Sequence, residues 1–384
     1  MIPIKKNLRK AINALHPQMP KGTISDANFW VEQTRKSAKA DTMRGWAMPW
    51  VEELFEEQPI VRSKPNTLEK TIHPNFIKHY FTTTPRASVY ILHNARIVGI
   101  EGYVISPDNK VFEEFTYCST KSGSDYDIFY RLKLPQLNSQ SGWWATITYP
   151  DASEFFHFEI ESFPRLRLIE QFKTILDGLV VPKTIKKNHL KLLQEVGFGE
   201  ERLIKIDQSS HIKFENLIVP AFVAGKNLPK WVPSFYKNIF FTEILPPSKL
   251  VYISREDAQY RRIINSDEVE NLVTSFGFTK YVISELSPIQ QREVFSSANI
   301  IVSPHGAALS NLVYSQKNLK LLEIFSPHHV DVTYWTMIQA IEAEYWYILG
   351  KQTPRNKIIK SDFENILVDI EELKNYLNII LQNA

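Results

Sequence analysis

A chain of 384 residues fits two or three domains at the usual ~100–200 residues each, and 43% hydrophobic with 23% charged residues is the composition of a globular protein that buries its own cores. The formal net charge of +3 argues against nucleic acid as the main partner, because nucleic-acid-binding domains carry a strong basic bias. The single cysteine, Cys118, excludes an internal disulfide framework and a cysteine-based zinc site within one chain, as fits a reducing compartment.

The N-terminal stretch MIPIKKNLRKAINALHP is too interrupted for a secretory signal. No run reaches the roughly 18 apolar residues of a transmembrane helix. The expectation is a cytoplasmic protein, at most peripheral to the inner membrane face. Lys5, Lys6, Arg9 and Lys10 could touch anionic lipid, although a solvated helix end accounts for them as well. Residues 1–75 have mixed polarity, several prolines and no periodicity, and read as an extension with short helices.

From Ser88 the pattern changes. SVYILHNARIVGIEGYVISPDNKVFEEFTYC is rich in β-branched and aromatic residues, with a turn at Pro107-Asp108-Asn109, and reads as a small antiparallel meander. WWATITY is a further strand. EFFHFEIESFPRLRLIEQFKTIL has helical spacing, which Pro164 should bend or interrupt. Strand-like GLVVP, helical HLKLLQEVGFG and strand-like LIKI and NLIVP follow, so this half already alternates β and α.

After Pro247 the alternation is regular. KLVYIS is a strand, and Asn265 can cap a helix that carries Val269, Leu272, Val273 and Phe276 on one face and stops at Gly277. KYVIS is the next strand. Ser287-Pro288-Ile289-Gln290 is a capping box with proline at the first helical position. NIIVSP, KLLEIF and YWYIL are strands, separated by the turn HGAALSN and by a helix near Val332–Ala343. A capping box at Ser361 and Glu364 predicts a last helix over SDFENILVDIEELKNYLNIIL. Regular β-α alternation implies a parallel sheet covered by helices on both faces. Ligands in such sheets sit at the carboxyl ends of the strands. Arg255, His305-Gly306 and Glu323 should therefore converge on one rim, which places a binding site between Tyr252 and Glu323.

The chemistry of these residues suits a phosphorylated ligand. At Pro304–Asn311 a strand enters a tight turn of small residues and then a helix, whose N–H groups favour an anion; many strand-helix turns look alike, so the pattern alone leaves a purely structural turn open. An arginine fork suits a diphosphate, which favours Arg255 at a strand end, whereas Arg261 and Arg262 are equally read as surface partners of Asp267 or Glu268. Glu323 could accept hydrogen bonds from ribose hydroxyls or cap the next helix. His157 and Glu161 share a helix face at i, i+4, and either could be a general base; a packed core histidine is the competing reading. There is no HExxH motif, and no third metal ligand is evident. The absence of a G-x-x-x-x-G-K-[ST] loop disfavours a P-loop kinase or ligase. The absence of G-x-G-x-x-G disfavours a dehydrogenase.

The order of YISREDAQYRRIINSDEVENLVTSFGF, LSPIQQREVFSSANIIVSPHGAALSNLVYS and LLEIF strongly resembles glycosyltransferase family 61, and FFHFEIESFPRLRLI is similar to that family's upstream aromatic-His-x-x-x-acid-x-x-Pro-Arg-Leu segment. The resemblance spans roughly residues 85–350. It implies a GT-B-like α/β fold, with two Rossmann-like domains facing a cleft and a small antiparallel β element in the N-terminal half. The segments would be an extension (1–75), an acceptor-side domain (76–245), a nucleotide-sugar domain (246–350) and a helical tail (351–384). The implied reaction is an inverting, metal-independent transfer of a hexose or pentose from a nucleotide sugar, UDP-linked by the family's habit, to a glycan hydroxyl. Bacterial capsule or extracellular polysaccharide synthesis is the setting favoured for it. No resident cofactor is expected beyond the donor itself. Carried over by position, Arg255, Arg262 and the turn His305-Gly306-Ala307 hold the diphosphate, Asn311 and Glu323 complete the nucleoside side, and His157 or Glu161 acts near the acceptor. Where the family commonly has tryptophan and an aliphatic residue, this chain has Phe158 and Glu159, and Ala308 and Ser310 replace the family's glycine and threonine. Glu159 thus adds a further acid beside the candidate base. A nucleotide- or glycan-binding protein without catalysis is the alternative from another class.

Overall fold

A computed structural model describes residues 16–40, 48–116, 123–149, 151–222, 224–241, 248–351 and 363–382. The basic run at Lys5–Lys10, Cys118 and Ser361 lie outside the described residues. The chain divides into two compact units, Met1–Glu57 with Pro85–Val223, and Gln58–Thr84 with Ala224–Ala384.

The first unit is built on a ten-stranded mixed sheet. Its pivot is His211–Ala221, whose inward residues Phe214, Leu217 and Val219 are buried. On one side this strand runs parallel to Asn138–Thr146, and the parallel pairing continues to Gly178–Pro182 and Leu203–Ile206. Helix Lys187–Glu195 connects the last two. On the other side it is antiparallel to Ala87–His93 and to Arg96–Val98. The meander expected from Ser88 onward is present as Arg96–Val98, Tyr103–Ile105 and Lys110–Phe112.

The helical run over residues 155–168 is interrupted at Phe163-Pro164, as expected, and resumes directly after it. Phe155–His157 leads into a π-helical turn, Phe158–Ser162, and then into Arg165–Leu168. The N–H of Phe163 reaches back five residues to the carbonyl of Phe158 at 2.8 Å. Pro164 has no N–H to give, and the widened turn lies directly before it.

The second unit holds a five-stranded sheet in the order Thr279–Tyr281, Lys249–Ile253, Ala298–Pro304, Lys320–Phe325, Glu344–Leu349, parallel throughout. The continuous apolar runs of its middle strands suit burial on both faces. Helices Ser266–Ser275, Pro288–Ser296, Thr333–Ile341 and Ile370–Gln382 belong to the same unit. The capping box at Ser287 and Gln290 forms as expected.

Two local expectations are corrected. The last helix starts at Ile370, not near Ser361, because Asp369 accepts from the N–H groups of Glu371 and Glu372 and serves as its cap. Asn265 holds the N-cap position of helix Ser266–Ser275 as expected, but its side chain makes no capping bond; it donates to the carbonyl of Val368 and accepts from its N–H, at 2.9 and 3.1 Å. The contiguous segments drawn from the sequence also divide differently in space. Gly22–Ile24 and Trp50–Phe55 join the first unit's sheet, so they are not a separate extension. Pro59–Val61 pairs with Phe81–Thr83 in the second unit, and Asn66 bridges the edge strand at Trp346. Among the described residues no helix is long and apolar enough to cross a membrane.

Candidate functional site

Three adjacent parallel strands of the second unit end on one rim, as their order requires: Lys249–Ile253 leads to Arg255, Ala298–Pro304 to His305 and Gly306, and Lys320–Phe325 carries Glu323. The chain then turns through Ala307–Tyr314, a short 3₁₀ helix in which Leu309 to Tyr314 are buried.

Arg255 lies against Gly306. A Cβ at position 306 would overlap Nη1 of Arg255, and would stand 2.5 Å from its Cζ and 3.1 Å from its Cδ. Gly306 has φ 176°, an extended conformation open to any residue, so its lack of a side chain matters for space alone. The guanidinium donates from Nη2 to the carbonyl of Tyr260 at 3.3 Å, while its buried Nε has no partner. The buried Nε of Arg261 has none either. Burial, and after it the charge of Arg261, lowers the pKa of Arg255. Two like charges held at one strand end with unused donors are costly unless an anion joins them.

His305 and Glu323 form the inner part of the rim. Nδ1 of His305 is 2.6 Å from Oε1 of Glu323, and the hydroxyl of Tyr345 donates to Oε2 at 2.6 Å. Burial raises the pKa of the Glu323 carboxyl, and His305 pulls it back. The His305 ring stacks on Phe325 at 5.3 Å and meets Tyr334 at 5.2 Å. Asp331 stands beside this group. Burial opposes its ionisation, yet Thr333, His305 and Lys226 hold it well below the usual carboxylate range.

The geometry corrects two of the expected contacts, those of Glu323 and Asn311. Glu323 is 0% exposed with both oxygens engaged, so it fixes the His305 ring and has no face left for a ribose. Asn311 is buried and donates to the carbonyl of Ala308 at 3.0 Å, which makes it a brace of the turn. Arg262 is exposed, and its backbone is tied to Asn365, whereas Arg261 is the neighbour that acts on Arg255. Arg261 has φ +57°, and that left-handed backbone separates the directions of two adjacent arginines. Ala307 is exposed at the mouth of the turn.

The first unit holds a second constellation. Nδ1 of His157 is 2.7 Å from Oε2 of Glu161, at i, i+4 across the π-helical turn. The same oxygen accepts from the hydroxyl of Tyr149. Arg165, fully buried, lies over the Tyr149 ring at 4.9 Å and donates to the carbonyl of Phe222. Glu161 is 1% exposed, while the His157 side chain is 36% exposed, so the histidine is the member that reaches solvent. Burial opposes protonation of His157, but the hydrogen bond and charge of Glu161, with Asp151 and Glu154, carry its pKa above the ordinary value. Glu159 is buried.

Sequence reasoning missed Tyr149, Asp331, Tyr334 and Tyr345, and left Arg261 open as a surface partner of Asp267 or Glu268. Only Asp331 left a local trace, as a helix-start residue two before Thr333, whose N–H it accepts at 2.8 Å. Among the described residues no group of three or more His, Cys, Asp or Glu side chains could hold a metal ion. No curated protein matches the chain. Residues 155–322, from the helix of His157 to the strand of Glu323, match the model of the family Glycosyltransferase 61.

Proposed function

We propose that the protein transfers a sugar from a nucleotide sugar, UDP-linked, to a hydroxyl of a glycan acceptor, with inversion and without a metal. The two α/β units are read as the acceptor-side and donor-side halves of a GT-B-like enzyme. Capsular or extracellular polysaccharide synthesis in the cytoplasm, at the inner membrane face, is the setting proposed. The observation that carries the reading is the seat of Arg255 on Gly306 beside Arg261, which leaves two arginine Nε donors unused at the strand-end rim.

In the proposed step an acceptor hydroxyl attacks the anomeric carbon in line with the departing diphosphate. His157 takes the hydroxyl proton. Its Nδ1 is engaged by Glu161, so Nε2 is the nitrogen left to accept. The carbon–oxygen bond to the diphosphate breaks as the new one forms, and the charge on the leaving oxygen falls to Arg255 and Arg261.

The test is a thermal-shift screen of nucleotides and nucleotide sugars, followed by measurement of nucleotide release from the compounds that bind. UDP compounds should raise the melting midpoint, and a UDP-sugar should be hydrolysed slowly without acceptor. A midpoint that no nucleotide moves would sink the donor reading. A shift without any hydrolysis would favour a binding protein instead.

A further inference from the structure

Beside the arginine pair stand two exposed aromatic rings for which neither the fold nor the reaction accounts. Tyr260 and Phe363 are 44% and 40% exposed, and their ring centroids are 4.3 Å apart at an interplanar angle of 36°. They are about a hundred positions apart in sequence, so chain proximity does not explain the pairing. The two segments are pinned together. Arg262 N–H donates to the side chain of Asn365 at 3.0 Å, Ile366 N–H to the carbonyl of Arg262 at 2.8 Å, and Ile264 N–H to the carbonyl of Ile366 at 2.7 Å. The two-way bond between Asn265 and Val368 closes the strap. Tyr260 is tied to the rim as well, because its carbonyl accepts from Arg255.

Although the rings lie against each other, both keep apolar surface in water that the core does not cover. Pinned aromatic rings next to donors for a phosphorylated group have the layout of a nucleotide site, in which a planar base stacks on a ring and the phosphates meet arginine. We propose that Tyr260 and Phe363 form the ledge on which the base of the donor nucleotide stacks. The inference rests on the donor reading above and adds the residues that recognise the base. Every base has a π face, so the ledge tolerates different bases and sets affinity more than base identity.

Calorimetric titration of the full chain with UDP and with inorganic pyrophosphate separates base from phosphate. The unaltered protein should bind UDP more tightly than pyrophosphate. Tyr260→Ala and Phe363→Ala should each weaken UDP about tenfold, the scale of one lost stacking contact, and leave pyrophosphate unchanged. Tyr260→Phe keeps the ring and should bind UDP as the unaltered chain does. UDP affinity that survives both alanine substitutions overturns the ledge while the arginine reading stands. UDP bound no better than pyrophosphate by the unaltered chain overturns it too. Failure to bind either probe removes the donor reading along with the ledge.

Discussion

Gly306→Ala tests the candidate donor site through a residue that itself makes no contact of chemical consequence. The added methyl would stand 2.5 Å from Cζ of Arg255, where carbon–carbon contacts settle near ~3.5–4 Å. The guanidinium must therefore retreat by at least ~1 Å, and a misplacement of that size near reacting atoms costs about 10²-fold in rate. Folding should hardly suffer. The backbone at φ 176° accepts alanine, and the clashing atoms sit at the far end of a flexible side chain. Removing the charge by Arg255→Ala should cost about 10²–10³-fold, the scale for one preorganised stabiliser of a leaving group. If both substitutions act through the same guanidinium, the double variant should be no worse than Arg255→Ala alone. The assay is nucleotide release from a UDP-sugar at saturating donor, with melting midpoints recorded for each variant. A Gly306→Ala protein that works within threefold of the unaltered one, while Arg255→Ala loses 10²-fold, would show that the arginine does not need its seat on the glycine.

His157→Ala should lower turnover by about 10²–10⁴-fold with little change in donor affinity, as the loss of a general base does. Glu161→Gln removes the charge that raises the pKa of His157, so the rise of rate with pH should move to lower pH; an acid limb that stays in place would break the pairing. His189 is 1% exposed, stacks on Phe158 at 3.9 Å, and has neither ring nitrogen partnered; burial, then Lys186, lowers its pKa to about 3. The folded pKa is depressed, so the stability linked to this group is present above the ordinary 6.5 and is lost as pH falls toward 3, by about 2 kcal/mol at pH 5. His189→Phe keeps the stacking, and its gain in urea midpoint over the unaltered chain should therefore widen from pH 8 to pH 5. A gap independent of pH would refute the argument.

The second unit was the more legible of the two because its signals are local. Runs such as KLLEIF and NIIVSP fall on strands whose residues are buried on both faces. A parallel sheet with short connections then leaves little choice of rim, and Arg255, His305 and Glu323 are brought to it by strand order alone. The first unit mixes parallel and antiparallel pairings around one strand, and partners such as Gly22–Ile24 with Lys110–Phe112 are distant in the chain. No periodicity carries that information.

Within the site the illegible part was direction. Arg261 and Arg262 are adjacent and chemically identical, and no local pattern shows that Arg261, whose φ is left-handed, is the one whose charge acts on Arg255. The box at Ser361 and Glu364 predicts a helix start, but pairing of Ile366 with Ile263, and of Leu367 with Lys351, keeps those two residues out of a helix and leaves the cap to Asp369. Glu323 is the sharpest case. A carboxylate near a strand end invites a ribose, but Tyr345, 22 positions on, and His305, 18 positions back, occupy its two oxygens. With no exposed face and no unengaged oxygen, Glu323 can influence a bound donor only through the imidazole that it orients. His305, stacked on Phe325 and anchored by Glu323, is the member of the pair that keeps some exposure.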